Sequence, residues 1–359
     1  MEGPRQGNSY DFLRFCAAGA VLLSHHFSLS GLAEPQVPGY REDYGNLGVE
    51  VFFCLSGFLI CRSLMKSIDW ADFLSARFLR IFPNLAFSLT ATSLATLFWY
   101  HNYSHLWKHI KFIVGNLLMF FRGVTYIIPG VFQDAKASPT INGSLWSLPF
   151  ELWLYIFLLL FFILGRRHSG LVVMFSTLVA SVVWAALSAF DSKVVSPFDS
   201  YPIWRLGSFF FSGSWVAISW QYIEKHAVFV GAAALLPLIL LRNLVPIETL
   251  FHPLALATVV IGLGSSKSMA WFSRGGDASY GMYIFAWPIQ QFALLLIDSF
   301  WLSMLAAFIA TTVLGYGTWH TFEKRAMSMR KLLGNRLRGR FYWSWGRLKK
   351  LRITGSRGS

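Results

Sequence analysis

Long, nearly unbroken runs of apolar residues recur from one end of this 359-residue chain to the other. A hydrocarbon core about 30 Å thick is crossed by about 20 apolar residues in a helix rising about 1.5 Å per residue. By that measure ten stretches are predicted to span: 10–30, 46–66, 78–100, 145–165, 170–190, 202–221, 227–242, 249–265, 278–297 and 300–321. The stretch 106–122 is apolar but short, and is expected to lie at the interface or to re-enter. No internal repeat of fixed period is evident. The pattern predicts an all-α polytopic membrane protein with about ten transmembrane helices, residues 1–325 forming the membrane domain and 326–359 a basic tail associated with the membrane surface.

Polar residues inside the first run carry more information than the run itself. Asp11, Arg14 and His25 lie where a lipid-facing helix carries no such groups. A charge at bilayer depth costs about 2.5–3.5 kcal/mol on insertion scales, so it faces a polar interior and serves a function. Eleven residues at about 100° each return to nearly the same face, which sets Arg14 and His25 on one stripe about 16 Å long. A permanent cation stands at one end and a titratable imidazole at the other. Arg5 ahead of an apolar run, with Ser30-Gly-Leu-Ala33 after it, imitates a cleaved signal, but Arg14, His25 and His26 interrupt the hydrophobic region such a signal needs.

Composition excludes a soluble domain: 13% of residues are charged, against about 25% in soluble proteins, and 55% are hydrophobic. Cys16, Cys54 and Cys61 lie in or beside apolar runs and point to packing, not a disulfide framework. Ten crossings put both termini on one side. Arg62, Lys66, Arg77, Arg80, Arg166 and Arg167 fall on that side with the tail, so most of the 31 lysines and arginines gather there. The positive-inside rule makes that side cytoplasmic in a plasma (inner) membrane. The net charge of +14 comes largely from the tail, where Arg336, Arg338, Arg340, Arg347, Lys349, Lys350 and Arg352 interleave with Phe341, Tyr342, Trp343 and Trp345. That mixture suits an anionic leaflet, and membrane lipids rather than nucleic acid are the expected partner.

Given that orientation, candidate chemistry sorts by depth. Arg77 and Arg80 lie at the cytoplasmic mouth of the third span, share a helix face, and present guanidinium forks that suit phosphate oxygens. The same two residues would also serve as plain positive-inside determinants. At the outer depth come His25 with His26, Glu50, Glu151 and Arg205. An imidazole can take a proton from a hydroxyl while a carboxylate fixes its tautomer and stabilises the imidazolium. A buried histidine is also often only a hydrogen-bonded core residue, and Glu50 with Arg205 would equally make a structural ion pair. His101, His105 and His109 recur every four residues, but Asn102-Tyr-Ser104 suggests that a span ends among them, and no metal is expected. Asn102-Tyr-Ser104 and Asn142-Gly-Ser144 fit the glycosylation pattern, which matters only in a eukaryotic host.

Five ordered segments give the chain a family resemblance. They are Asp11-Phe-Leu-Arg14 with His25; Gly48-Val-Glu-Val-Phe-Phe-Cys-Leu-Ser-Gly-Phe-Leu-Ile60; Arg77-Phe-Leu-Arg-Ile-Phe-Pro83; Ser144-Leu-Trp-Ser-Leu-Pro-Phe-Glu151 with Tyr155; and Ser279-Tyr-Gly-Met-Tyr-Ile-Phe-Ala-Trp-Pro288. His320-Thr-Phe-Glu-Lys324 echoes the closing segment. Together they resemble the transmembrane acyltransferase family 3, which O-acylates bacterial surface polysaccharides and related acceptors. The resemblance implies that Arg14 and His25 are an essential pair, that Arg77 and Arg80 serve an acyl-coenzyme A donor, and that Glu151 belongs to the outer active region. Two departures stand out. Ala286 occupies a position where many members carry histidine, and many members continue into an esterase-like domain where this chain has a basic tail.

The expected function is therefore an integral membrane O-acyltransferase. It would move an acyl group, acetyl by default, from cytoplasmic acyl-coenzyme A to a hydroxyl of a surface or exopolysaccharide, or of its lipid-linked precursor. His25 would act as general base with Glu151 or Glu50 orienting it, Arg14, Arg77, Arg80 and Arg205 would bind substrate, and acyl-coenzyme A would be a co-substrate rather than a resident cofactor. The alternative is a proton-coupled transporter built on the same His/Glu cluster; transporters often show repeat symmetry, and none is seen here.

Overall fold

A short polar side chain, Asp69, sets where one of the long helices starts. The computed structural model describes residues 7–338 apart from 41, 67–68, 166–167, 190–200 and 241–246. The described helices, in chain order, are α1 (Tyr10–Leu29), α2 (Tyr44–Lys66), α3 (Trp70–Trp99), α4 (Leu106–Leu117), α5 (Met119–Arg122), α6 (Leu148–Gly165), α7 (Ser169–Ala189) and α8 (Tyr201–Ile218). They continue with α9 (Trp220–Ile223), α10 (Ala227–Ala233), α11 (Leu235–Leu240), α12 (Ile247–Ser265), α13 (Ser279–Leu296), α14 (Phe300–Thr318) and α15 (Lys324–Ser328). Asp69 caps α3 by accepting from the backbone N–H groups of Ala71 and Asp72, both at 3.1 Å. It thereby satisfies donors that a helix start leaves without intrahelical partners. The cap starts α3 at Trp70 rather than at the predicted 78, so Arg77 and Arg80 sit inside the helix and not at its mouth.

Every predicted span is occupied by helix, and the protein is an all-α polytopic membrane protein. Among the described residues six helices are long and apolar enough to cross a membrane by themselves. The predicted span 227–242 is divided between α10 and α11. Pro237 offers no N–H to the carbonyl of Ala233, which removes a helical bond at the break. Large apolar side chains cover the outside, Phe121, Leu164 and Phe229 being 80%, 77% and 77% exposed. In water such a surface would be an aggregation liability; against lipid it is the expected one.

Inside the bundle α2 is central, packing on α8, α1 and α12. A Cβ on Gly57 would lie 1.8 Å from the Phe210 carbonyl oxygen, and one on Gly213 2.1 Å from that of Cys54, so α2 and α8 meet backbone to backbone. Lipid supplies no hydrophobic drive for helices to associate, and small residues at crossing points let van der Waals contact replace it. Cys54 and Cys61 are buried in this packing, while Cys16 is an exposed thiol.

Two regions differ from a simple row of spans. The segment 138–147 turns into the bundle and runs along α13. Trp287 Nε1 donates to the Thr140 carbonyl at 2.9 Å, Asn142 Nδ2 to that of Ile284 at 2.7 Å, and Ser147 Oγ lies 2.7 Å from the Tyr283 hydroxyl. Irregular backbone at membrane depth survives only where protein surrounds it and satisfies its polar groups. Asn142 and Asn102 are buried in such bonds, the latter donating to the Pro129 carbonyl at 2.8 Å, which rules out both as glycan acceptors. His101, two residues past the end of α3, has a left-handed φ of 47°, and His109 turns inward to Ser93 at 2.9 Å, so His101, His105 and His109 form no ladder on one helix.

The first and last described residues gather at one end of the bundle. Ser9 N donates to the Gly264 carbonyl at 2.8 Å, His320 Nε2 contacts the Gly275 carbonyl at 3.0 Å, and Arg338 pairs with Asp69 and Asp72 at the start of α3. Arg5, Arg166, Arg167 and residues 339–359, with most of the basic aromatic tail, lie outside the described residues.

Candidate active site

A cavity of about 80 Å³ forms where α1, α2, α3, α6 and α13 converge, lined by Arg14, Arg77, Arg80, Glu151, Tyr155 and Ser56 among others. Arginines so deep demand compensation, and two of the three receive it. Asp277, just before α13, takes both Arg14 Nη1 at 3.2 Å and Arg80 Nη2 at 2.6 Å on one carboxylate oxygen. The other Arg80 arm reaches Glu323 at 2.9 Å, and Glu323 also accepts from Asn84 and Thr318. The Arg80 guanidinium lies 5.6 Å from the ring centres of both Tyr280 and Trp319. It is fixed on every side.

Arg77 differs. One helical turn away, it makes no hydrogen bond or ion pair among the described residues, and its Nε is buried without a partner. The Tyr155 ring lies 5.9 Å from its guanidinium carbon. Glu151 stands on the same cavity, accepting from Ser56 Oγ at 2.9 Å and from Tyr155 in a very short bond, both on Oε1. The cavity therefore holds one immobilised cation, one bridged cation and one uncommitted cation beside a carboxylate.

The inward turn at 138–147 explains why Glu151 is here. It starts α6 deep in the bundle, and so sets Glu151 with the arginines instead of with His25.

His25 does not line this cavity. Its ring meets Trp287 edge-on, centroids 4.8 Å apart, and its Nδ1 is buried with no hydrogen-bond partner. Trp287 follows the cavity residue Tyr283 by one turn of α13, about 6 Å along the axis. Neighbouring His26 also leaves its Nδ1 buried without a partner, but its Nε2 lies 3.1 Å from Ser303 Oγ and 3.3 Å from the Phe300 carbonyl. A buried imidazole nitrogen left open is uncommon and asks for an explanation.

Glu50 and Arg205 form a separate buried cluster. Arg205 Nη2 meets Glu50 Oε1 at 2.6 Å, and Asn46 and Glu42 add further bonds to the guanidinium. Tyr40 donates to the other Glu50 oxygen at 3.0 Å and makes a very short contact with His252. The ion-pair geometry open to this couple in the sequence is the one adopted. Sequence reasoning missed Asp277, Glu323, Tyr40 and His252. A signal for the acids existed: three arginines within apolar spans call for buried carboxylates, and few acids stand in the late spans to supply them.

The fold and its arginine-lined cavity define a polytopic membrane protein with charged residues gathered inside its helix bundle. The chain belongs to the acyltransferase domain family (acyltransferase family 3), which matches residues 8–320. It is 29% identical over 344 residues to an O-acetyl transferase of Shigella phage Sf6, covering 90% of this chain and 97% of that protein. It is 25% identical over 362 residues to nodulation protein 10 of Rhizobium leguminosarum bv. viciae, covering 91% and 95%. A shorter similarity, 29% over 224 residues, relates 54% of the chain to 43% of the regulator of hypoxia-inducible factor 1 of Caenorhabditis elegans. No solved structure matches the chain. The protein is a membrane-embedded acyltransferase.

Proposed function

We propose that the protein transfers an acyl group, acetyl in the default case, from cytoplasmic acyl-coenzyme A to a hydroxyl of a cell-surface or exopolysaccharide or its lipid-linked precursor. The observation that carries this reading is the pairing of the uncommitted Arg77 cation in the cavity with the open His25 imidazole above it. In this reading the termini lie on the cytoplasmic side of the inner membrane, the cavity with Arg77 and Arg80 opens toward that side, and the thioester arm extends past Tyr283 toward His25.

A cavity of about 80 Å³ suits the slim acyl end of the donor, not its nucleotide. At the far end the acceptor oxygen attacks the thioester carbonyl carbon while its proton passes to the His25 imidazole. The carbon–sulfur bond then breaks, and the leaving thiolate takes the proton back from the imidazolium. Glu151 polarises or orients the acyl end through its Ser56 and Tyr155 network, while Arg14 and Arg80, held by Asp277, keep the cavity positive. An acyl-histidine intermediate is the variant of the same assignment. Glu50 and Arg205 hold α2 to α8 and shape the outer approach.

The test is release of free coenzyme A from acetyl-coenzyme A by purified protein in detergent, with and without extracted glycans. Glycan-stimulated release that disappears in folded His25→Ala supports the assignment. A folded, active His25→Ala protein would remove His25 from the reaction.

A further inference from the structure

Gln290 stands on α13 one turn beyond Trp287, the residue whose ring meets His25. It is fully buried, and its Nε2 donates to the Leu22 carbonyl of α1 at 2.7 Å. A carbonyl oxygen only accepts, so the amide nitrogen of Gln290 faces Leu22 and its oxygen faces away. That Oε1 is buried with no donor among the described residues. His25 supplies the converse. Its Nδ1 is buried without a partner, while its Nε2 makes no hydrogen bond among the described residues and keeps some accessible surface.

Two contacts bring these groups to one level of the bundle. α1 and α13 pack together and run in the same direction, Arg14 meeting Asp277 near the start of both and His25 meeting Trp287 further along. Leu22 precedes His25 by three residues and Trp287 precedes Gln290 by three, so the contacts Leu22–Gln290 and His25–Trp287 cross within one turn of each helix. The Leu22 carbonyl points one turn forward, toward the His26 amide, and so carries the Gln290 amide to the level of the imidazole. No carboxylate competes for the role. Glu151 lies with the arginines and Glu50 with Arg205. The charge of Asp43 reaches His25 through space, but both its oxygens are engaged by Asn46, at 2.7 and 2.6 Å. Next to His25, His26 turns to Ser303 and Phe300 and feels Lys136; from α13, Trp287 and Gln290 are uncharged.

We propose that Gln290 is the positioning residue of His25: its Oε1 accepts the Nδ1 proton and so fixes the tautomer whose Nε2 is free to take the proton of the acceptor hydroxyl. The assignment rests on the acyl-transfer reading above and deepens it. A buried donor and a buried acceptor that lack partners are each costly, and a single bond satisfies both. The two atoms are unbonded in this structure; bonds that orient a catalytic base are often long before substrate binds and close in the complex. Nδ1 keeps its proton throughout, and Nε2 takes and returns the one proton that moves. A neutral amide orients the ring without the extra attraction for the imidazolium that a carboxylate would bring.

The experiment combines nitrogen-15 NMR of the full chain, histidine-labelled in lipid bilayers, with coenzyme A release from acetyl-coenzyme A and extracted glycans across pH. The His25 signals are identified by their loss in His25→Ala, and they report which ring nitrogen carries the proton. The expected wild-type result is a neutral His25 protonated on Nδ1. In Gln290→Leu the proton moves to Nε2 and kcat falls about tenfold or more, with the KM for acetyl-coenzyme A within about twofold. Gln290→Glu restores the Nδ1 tautomer, and the acidic limb of its kcat profile moves up by about one pH unit, because a carboxylate favours the imidazolium. A merely structural Gln290 would lower the yield of folded protein and move neither the tautomer nor the limb. A wild-type His25 protonated on Nε2, a folded Gln290→Leu with wild-type tautomer and kcat, or an unmoved limb in folded Gln290→Glu overturns the assignment. The acyl-transfer reading then stands as long as release still requires His25. A folded His25→Ala that releases coenzyme A as wild type does overturns both. If Gln290→Leu does not fold, the wild-type tautomer and the Gln290→Glu limb decide.

Discussion

Replacing Arg77 by methionine should stabilise the fold and disable donor use at once. Its Nε is buried with no acceptor, and an unsatisfied buried donor costs about 1–3 kcal/mol. The Tyr155 face, 5.9 Å from the guanidinium, returns only about 0.5–1 kcal/mol. Methionine fills the space of the aliphatic stem without the charge, so a net gain of about 1–2 kcal/mol is expected. Arg80 is the internal control, one turn along α3. Its two carboxylate contacts, at 2.6 and 2.9 Å, end on groups that are themselves buried. Arg80→Met strands Glu323 and weakens Asp277, and breaking such a buried pair costs about 3–5 kcal/mol. In function the order reverses for Arg77. A lost charge-assisted hydrogen bond to the acyl arm of the donor, worth about 1.5–3 kcal/mol, lowers kcat/KM for acetyl-coenzyme A by roughly 10- to 150-fold. Reversible unfolding in bicelles gives the first quantity and the coenzyme A release assay the second. If Arg77→Met destabilises the protein as much as Arg80→Met, or leaves donor kcat/KM unchanged, the view of Arg77 as an uncommitted cation is wrong.

Three further outcomes follow from the packing and the buried charges. Gly57→Ala should prevent stable association of α2 with α8, because the new methyl would meet the Phe210 backbone at 1.8 Å; loss of the monodisperse species on size-exclusion chromatography reports it, and wild-type behaviour would refute the close approach. Arg205→Met should cost about 3–5 kcal/mol by leaving Glu50 buried without its cation, and the double variant Arg205→Met/Glu50→Gln should recover much of that loss in the same unfolding assay. Asp277→Asn should destabilise by disturbing Arg14 and Arg80 together, and its effect should be strongly non-additive with Arg14→Met; simple additivity would show that the shared carboxylate does not couple the two arginines.

The arginines within the spans illustrate how charge and function are joined in this bundle. Arg14 and Arg80 share Asp277, and Arg80 is further fixed by Glu323, so their charge shapes the cavity without being available to leave it. Arg77 is left with an aromatic face and a carboxylate on the same cavity with which it makes no ion pair. Natural proteins keep such unfavourable groups where a ligand completes them.

The sequence by itself determined the class of protein and the places of its helices, because both depend on local quantities. Bilayer thickness converts directly into a length of apolar chain, and each predicted span is occupied by helix. Two boundary errors were also local and legible: the Asp69 cap moved the start of α3, and Pro237 broke the span at 227–242. The stripe of Arg14 and His25 likewise needed only the helical period. Tertiary structure alone decided the pairing of charges. Nothing local to Asp277 says that it will bridge Arg14 and Arg80, residues 263 and 197 positions away, while Arg77 goes without. Nor does hydropathy reveal that residues 138–147 fold inward and carry Glu151 from its predicted outer layer down to the arginines. Apolar burial is non-directional and leaves a period in the sequence, whereas a buried ion pair is set by the meeting of a few atoms from distant segments and leaves no local trace.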